Sequence, residues 1–111
     1  MDSLRILIIK GDDDMATTKE YRDFILEQLS NLEEINCKSM MGEYLLYYKK
    51  LLFGGIYDNR LLVKITKNNM KYNMSEAIPY DGAKPMFLVN DVDNQDVLEK
   101  IILDTYNGIR K

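Results

Sequence analysis

The stretch that decides the fold runs from residue 40 to residue 66 and reads MMGEYLLYYKKLLFGGIYDNRLLVKIT. Leucine, tyrosine and other strand-forming residues dominate it. Two polar pairs, Lys49-Lys50 and Asp58-Asn59, interrupt the apolar runs at positions that suit two-residue hairpin turns. Asp58-Asn59 is the better match, because aspartate and asparagine tolerate a positive φ better than lysine. The stretch therefore predicts three antiparallel strands joined by two tight turns.

These turns set the register of the three strands and so assign each side chain to a face. Tyr48 is placed opposite Leu51, and Tyr57 opposite Arg60. One face is then apolar except for a tyrosine hydroxyl, and we expect helices to cover it. Its predicted members are Leu45, Tyr47, Leu52, Gly54, Ile56, Leu61, Val63 and Ile65. A further strand over residues 36–41 is predicted to extend this meander to four strands.

A helix is predicted on each side of the meander. Thr17 and Glu20 have the spacing of a capping box, which predicts a first helix over residues 18–31. Asp93 or Asn94 suits the N-cap of a last helix. The apolar face of that helix is predicted from residues at helical spacing: Val97, Leu98, Ile101, Ile102, Thr105 and Ile109.

The polar stretch at residues 67–84 predicts a short helix followed by a loop, and Pro85 introduces a further short strand, MFLVN. The predicted fold class is α+β. It consists of an antiparallel β-meander of four to five strands, with the N- and C-terminal helices packed on one face.

Composition limits the possible functions. The 111 residues are 46% hydrophobic and 30% charged, which is ordinary for one globular domain. The chain has no histidine, which is the commonest general base and metal ligand, and its single cysteine, Cys37, cannot form an intramolecular disulfide. The short apolar run at Leu4–Ile9 is below the length of a membrane span or a signal-peptide core. We therefore expect a cytoplasmic protein without catalytic residues, cofactor, metal or membrane association.

Residues 1–14 form an unusual beginning, because an apolar run and three aspartates precede a second methionine, Met15. The codons of Lys10-Gly11-Asp12 can spell a purine-rich ribosome-binding sequence at a workable distance from the Met15 codon. We interpret residues 1–14 as a leader that is not native or is disordered, and residues 15–111 as a single domain. The alternative is an additional edge strand over Arg5–Lys10, with the aspartates in a solvated turn.

The second predicted face of the meander is the candidate binding face. Aromatic side chains alternate there with cations, which suits a protein interface and also suits stacking of single-stranded bases. Its members are Tyr44, Tyr48, Phe53, Tyr57, Arg60 and Lys64, with the turn residues Lys49 and Lys50 at its edge. Because the whole chain has a net charge of −3, we rank a protein interface first, cover by another part of the chain second, and nucleic acid third.

Several short motifs in this order resemble the N-terminal domain of the TfoX/Sxy family. They are Met41-Gly42, Phe53-Gly54-Gly55, Asp58-Asn59-Arg60-Leu61 and Lys84-Pro85-Met86. The resemblance implies an α+β domain with helices on an antiparallel sheet. It also implies a regulator, since full-length relatives promote expression of competence genes for DNA uptake together with a cyclic-AMP-dependent activator.

This chain ends where the C-terminal helical domain of those relatives would begin, so competence regulation does not carry over directly. The resemblance supplies no catalytic residues. We expect a non-enzymatic regulatory or adaptor protein that binds a protein partner, either a regulator or a second copy of itself. One alternative is a nucleic-acid-binding domain that uses the aromatic and basic face, and the other is an undetected small-molecule or enzymatic function.

Overall fold

The computed structural model describes residues 16–110, in which two helices lie on an antiparallel sheet of six strands. The predictions for residues 1–14 lie outside the described residues. The strands follow the order β1-β2-β3-β4-β6-β5 across the sheet. The elements in chain order are α1 (Lys19–Gln28), β1 (Ile35–Met40), β2 (Glu43–Tyr48), β3 (Leu51–Ile56), β4 (Leu61–Val63), a 3₁₀ helix (Lys67–Tyr72), β5 (Ser75–Ala77), β6 (Met86–Leu88) and α2 (Gln95–Ile109).

Both predicted hairpin turns are confirmed. Lys49 and Lys50 have φ values of 50° and 71°, and Asp58 and Asn59 have values of 54° and 56°. Two consecutive residues with positive φ define the turn whose twist matches that of the flanking strands. In the second turn, Asp58 and Asn59 are residue types that tolerate positive φ. In the first turn, two lysines adopt a positive φ, which is unfavourable for lysine.

A β-bulge at Phe53 changes the predicted register within the first hairpin. Tyr47 pairs with Leu52, but the next residue, Leu46, pairs with Gly54, so Phe53 has no partner on β2. An extra residue on one strand shifts the pairing by one position. On one side of the bulge, the side chains therefore lie on the face opposite to the one that a regular pairing predicts.

The bulge makes the predicted faces wrong for β2 and for the start of β3. Leu46, Tyr48 and Phe53 belong to the core beneath the helices, where Leu45, Tyr47 and Leu52 were expected. Beyond the bulge the prediction is confirmed, because the core also contains Ile56, Leu61 and Val63.

The glycine pair beside the bulge allows strands to approach more closely than a side chain would permit. A Cβ atom on Gly54 would lie 2.2 Å from the carbonyl oxygen of Leu62. On Gly55 it would lie 2.6 Å from the carbonyl oxygen of Tyr44 and 2.7 Å from Cε2 of Tyr57. These glycines therefore serve close packing within the sheet.

Both helices cover the same face of the sheet, as predicted. Asn94 is the N-cap of α2, and its side chain accepts a hydrogen bond from the Val97 N–H at 3.2 Å. The N-cap of α1 is Thr18 and not Thr17, because the Thr18 hydroxyl accepts from the Tyr21 N–H at 3.1 Å. The helices contribute these fully or almost fully buried residues to one core: Ile25, Leu29, Leu98, Ile101 and Ile102.

The stretch at residues 67–84 contains the predicted short helix, here a 3₁₀ helix, and also β5, which was not predicted. Asn69 anchors the 3₁₀ helix to α2. Its fully buried Nδ2 donates to the Lys64 carbonyl and to Thr105 Oγ1, both at 2.8 Å, while its Oδ1 accepts from the Thr66 N–H at 3.0 Å. A buried amide that satisfies its hydrogen bonds in this way fixes the position of the segment leading to β5.

Within residues 16–110 no helix is both long enough and apolar enough to cross a membrane.

The first hairpin turn provides a test of backbone strain. Replacing Lys49-Lys50 by Asn-Gly should raise the free energy of unfolding by about 1–2 kcal/mol, because asparagine and glycine adopt positive φ more easily than lysine. Urea denaturation would measure the change, with Lys49→Ala/Lys50→Ala as the control for lost charge. If the Asn-Gly variant were no more stable than this control, the two lysines would not strain the backbone of the turn.

Candidate binding groove on the outer face of the sheet

The face of the sheet opposite the helices, called here the outer face, carries a second buried layer. Leu62 is fully buried and pairs with Gly55, yet it does not belong to the core under the helices. The side chain of Tyr57 is only 6% exposed, and its ring lies against Gly55. The segment between β5 and β6, residues 78–85, called here the wall loop, lies beside Tyr57, whose ring centroid is 6.2 Å from that of Tyr80.

A groove with a volume of about 720 Å³ separates the wall loop from the sheet. Leu52, Tyr57 and Met86 contribute to it from the strands and the adjoining turn, and Pro79 and Tyr80 from the wall loop. This volume lies within the range of pockets that bind small ligands or side chains of a partner.

The wall loop is held in place by its own turn and by burial. The Ala83 N–H donates to the Tyr80 carbonyl at 3.0 Å, and Gly82 between them has a φ of 86°. Positive φ at the third position of a four-residue turn favours glycine. Pro79 is buried, so the loop also has an apolar anchor.

Arg60 joins the wall loop to the turn between β3 and β4. Its Nε donates to the Tyr57 carbonyl at 3.1 Å, and its Nη2 donates to the Ile78 carbonyl at 3.2 Å. A planar guanidinium can reach two carbonyls at once, which a lysine ammonium on a flexible stem does less well. The groove is therefore preformed by a side-chain clamp.

Apolar surface continues beyond the groove. Ile78 is 51% exposed and Tyr80 is 60% exposed, and the Tyr80 ring lies 6.2 Å from the Tyr57 ring. Burial raises the pKa of the Tyr57 phenol, and the nearby Tyr80 raises it further. The phenol of Tyr57 is thus neutral at physiological pH and presents a hydrogen-bonding group with little charge.

The structure does not bring the eight predicted binding residues onto one face. Phe53 is fully buried and Tyr48 is 7% exposed, both beneath the helices, and Tyr44 packs against the same core. Their burial is the physical result of the bulge described above. Lys49 and Lys50 are exposed on their turn.

The remaining three predicted residues lie at the groove. Tyr57 and Lys64 line it, and Arg60 clamps its wall. The binding role of all eight stays a prediction. Sequence reasoning missed the contributions of Pro79, Tyr80 and Met86, although an apolar Ile-Pro-Tyr triplet within a polar stretch was a signal that could have indicated them.

A second polar cluster lies on the helix side. The Tyr72 hydroxyl donates to Asp104 Oδ2 at 2.6 Å, and the Lys71 ammonium lies 3.1 Å from the same oxygen. Burial and the hydrogen bond to Asp104 raise the pKa of Tyr72 to about 12. Burial alone would raise the pKa of Asp104, but the hydrogen bonds from Tyr72 and Lys71 more than offset this and lower it. The cluster joins the 3₁₀ helix to α2.

Potential metal ligands do not converge in the part of the chain that the structure describes. Residues 16–110 contain no group of three or more cysteine, aspartate, glutamate or histidine side chains positioned to hold an ion. Cys37 is half-buried on the edge strand, and burial raises the pKa of its thiol, with the Arg22 charge opposing this shift.

The comparison with known families agrees with the motifs and the fold. The sequence profile of the TfoX N-terminal domain matches residues 27–89, which is more than half of the 111-residue chain. The chain belongs to the TfoX N-terminal domain family. The match covers all six strands and every residue of the groove.

This TfoX N-terminal domain also has a similar curated relative. It is 34% identical over 80 residues to an uncharacterized 12.7 kDa protein in the trpE 5′ region of Spirochaeta aurantia, and the similarity covers 70% of each chain.

The Arg60 clamp predicts a local effect on the wall loop. Arg60→Lys should accelerate amide hydrogen exchange in residues 78–83 by about tenfold, because it removes the paired hydrogen bonds to two carbonyls. Exchange followed by mass spectrometry would measure this. Arg110→Lys at the end of α2 is the matched control and should leave the loop unchanged; equal exchange in both variants would show that Arg60 does not hold the loop.

The Tyr72 cluster predicts a pH dependence at the alkaline end. Since the folded-state pKa of about 12 exceeds the ordinary value near 10, the stabilisation from the neutral phenol is complete below pH 10 and is lost as pH rises through 12. Urea denaturation between pH 9 and pH 11.5 should therefore show a steeper loss of stability in the wild type than in Tyr72→Phe. Tyr80→Phe is the control, because it removes an exposed phenol. Parallel stability curves for the wild type and Tyr72→Phe would show that the pKa of Tyr72 is not raised by folding.

Proposed function

We propose that this TfoX N-terminal domain is a non-enzymatic regulatory or adaptor protein that binds a protein partner in the cytoplasm through its outer-face groove. The observation that carries the proposal is the coincidence of a preformed groove with exposed apolar side chains on its wall. Ile78 and Tyr80 are two of the few large apolar side chains in residues 16–110 that are at least one-third exposed. Exposed apolar surface beside a pocket is typical of interaction sites.

The chemistry of the groove favours recognition over catalysis. Its surface comes mainly from aliphatic and aromatic groups, with Lys64, Glu76 and Lys84 as the charged residues, and burial favours the neutral phenol of Tyr57. Binding sites of this composition orient a partner through a few polar contacts around an apolar centre.

Nucleic-acid binding is the second candidate function. Lys64 and Lys84 line the groove, and the Lys49-Lys50 turn lies at the same end of the sheet, since β3 begins where β4 ends. Residues 38–84 as a whole carry eight basic and four acidic side chains. Cations near an exposed aromatic ring favour a phosphate backbone with stacked bases, but the burial of Phe53 and Tyr48 leaves Tyr80 as the exposed ring at this site.

Site-specific photo-crosslinking in the protein's own cells tests the proposed function. A benzophenone amino acid replaces Tyr80 in the full chain, and the same amino acid at Met70, which is 53% exposed on the 3₁₀ helix, is the matched control. We expect discrete protein adducts from position 80, unaffected by nuclease and reduced at least threefold by Ile78→Ser.

Identical adducts from both positions would show that the groove is not the binding site. Adducts to nucleic acid at position 80, or loss of the protein adducts after nuclease treatment, would favour the second candidate function. Thermal unfolding of each variant before the experiment ensures that only folded proteins are compared.

A further inference from the structure

We infer that the groove takes a short acidic and apolar segment of the partner, with an aliphatic side chain against the groove floor and a carboxylate beside Lys64 and Lys84. This inference rests on the proposed function and adds the chemistry of the occupant. Both lysines line the cavity together with its apolar residues. The arrangement thus offers apolar contact and positive charge to the same ligand.

The sheet register separates the charges at the groove. Glu76 also lines it, but Glu76 pairs with Phe87, whose side chain belongs to the core beneath the helices. Paired residues on neighbouring strands share a face, so the register directs the Glu76 side chain toward the helix side at the border of the groove. Lys64 follows the core residue Val63 and continues the ladder through an N–H···O bond of 2.9 Å to Phe53, which places its side chain on the outer face.

Lys64 and Lys84 form no salt bridge with another residue of the part of the chain that the structure describes. The salt bridges in residues 16–110 join Arg22 to Asp23 and Lys71 to Asp104. No carboxylate of these residues therefore pairs with Lys64 or Lys84. A carboxylate of a bound segment would supply the missing counter-charge and gain charge-assisted hydrogen bonds.

The apolar part of the groove favours a polypeptide over a nucleic acid. Leu52, Met86 and Pro79 present aliphatic surface, which matches an aliphatic side chain better than a base that needs an aromatic platform. The exposed side chains of Ile78 and Tyr80 extend this surface along the wall loop. The apolar surface thus extends beyond the cavity, and it is long enough to contact several residues of an extended segment.

Titration of the isotope-labelled full chain with short probe peptides tests the inference by nuclear magnetic resonance. The probes are acetyl-Glu-Leu-Leu-Glu-amide and the matched peptides with Gln or Lys in place of both Glu residues. We expect the Glu peptide to shift the amide signals of Leu52, Tyr80 and Met86 and to bind about threefold to tenfold more tightly than the Gln peptide, as two surface ion pairs allow. The Lys peptide should bind more weakly than either.

Variants identify the source of the preference. Lys64→Gln/Lys84→Gln should reduce the affinity for the Glu peptide to that for the Gln peptide, and raising the salt concentration should do the same in the wild type. Lys100 is an exposed lysine on α2, on the side of the sheet opposite the groove. Lys100→Gln is therefore the control, and this variant should bind the Glu peptide like the wild type.

Each outcome has a defined meaning. Equal affinity for the Glu and Gln peptides at the groove would overturn the inference about charge and leave the proposed function standing. Absence of a saturable shift with the Glu peptide, or stronger binding of a twelve-residue oligothymidylate that Lys64→Gln/Lys84→Gln abolishes, would overturn the segment proposal. The photo-crosslinking products then decide separately whether the groove binds protein.

Discussion

Between the pair Tyr47–Leu52 and the pair Leu46–Gly54, the backbone of β3 accommodates one residue more than that of β2. That residue, Phe53, is fully buried beneath the helices. Next to the bulge, Gly54 approaches the Leu62 carbonyl of β4 closely, and the offset at the bulge determines which side chains of β2 join the core. The composition of both faces, and so the position of the groove, depends on this single extra residue.

Two polar side chains hold the chain on either side of β5, Arg60 at the wall loop and Asn69 at the 3₁₀ helix beside α2. Arg60 joins the wall loop to the neighbouring turn, and Asn69 fixes the segment that precedes β5 by hydrogen bonds to Lys64 and Thr105. Both side chains bind backbone or buried groups, whereas no carboxylate within residues 16–110 forms a salt bridge with Lys64 or Lys84. A stiff wall lowers the entropic cost of binding, because fewer side chains must be ordered when a partner arrives.

Local signals predicted much of this fold, and a non-local one was missed. Tight turns and helix caps depend on a few adjacent residues, so Asp58-Asn59 and Asn94 could be identified directly. The bulge at Phe53 could not be identified in this way, because it depends on how two strands fit together. The apolar run around Phe53 is compatible with either register. The apolar triplet Ile78-Pro79-Tyr80 was a local signal, but its place in a site depends on non-local pairing, because β6 must pair with β4 to bring the loop onto the sheet.

The strand order has a consequence for how the domain folds. Strands β1 to β4 are neighbours both in sequence and in the sheet, whereas β6 must pair with β4 across an intervening 3₁₀ helix and β5. Hairpins close short loops and form quickly, while pairing over a longer separation comes later because more chain entropy must be lost first. We therefore expect the groove residues of β3 and β4 to be in place before Met86 and the wall loop. The groove can accordingly be occupied only after the long-range pairing of β6 with β4 has formed.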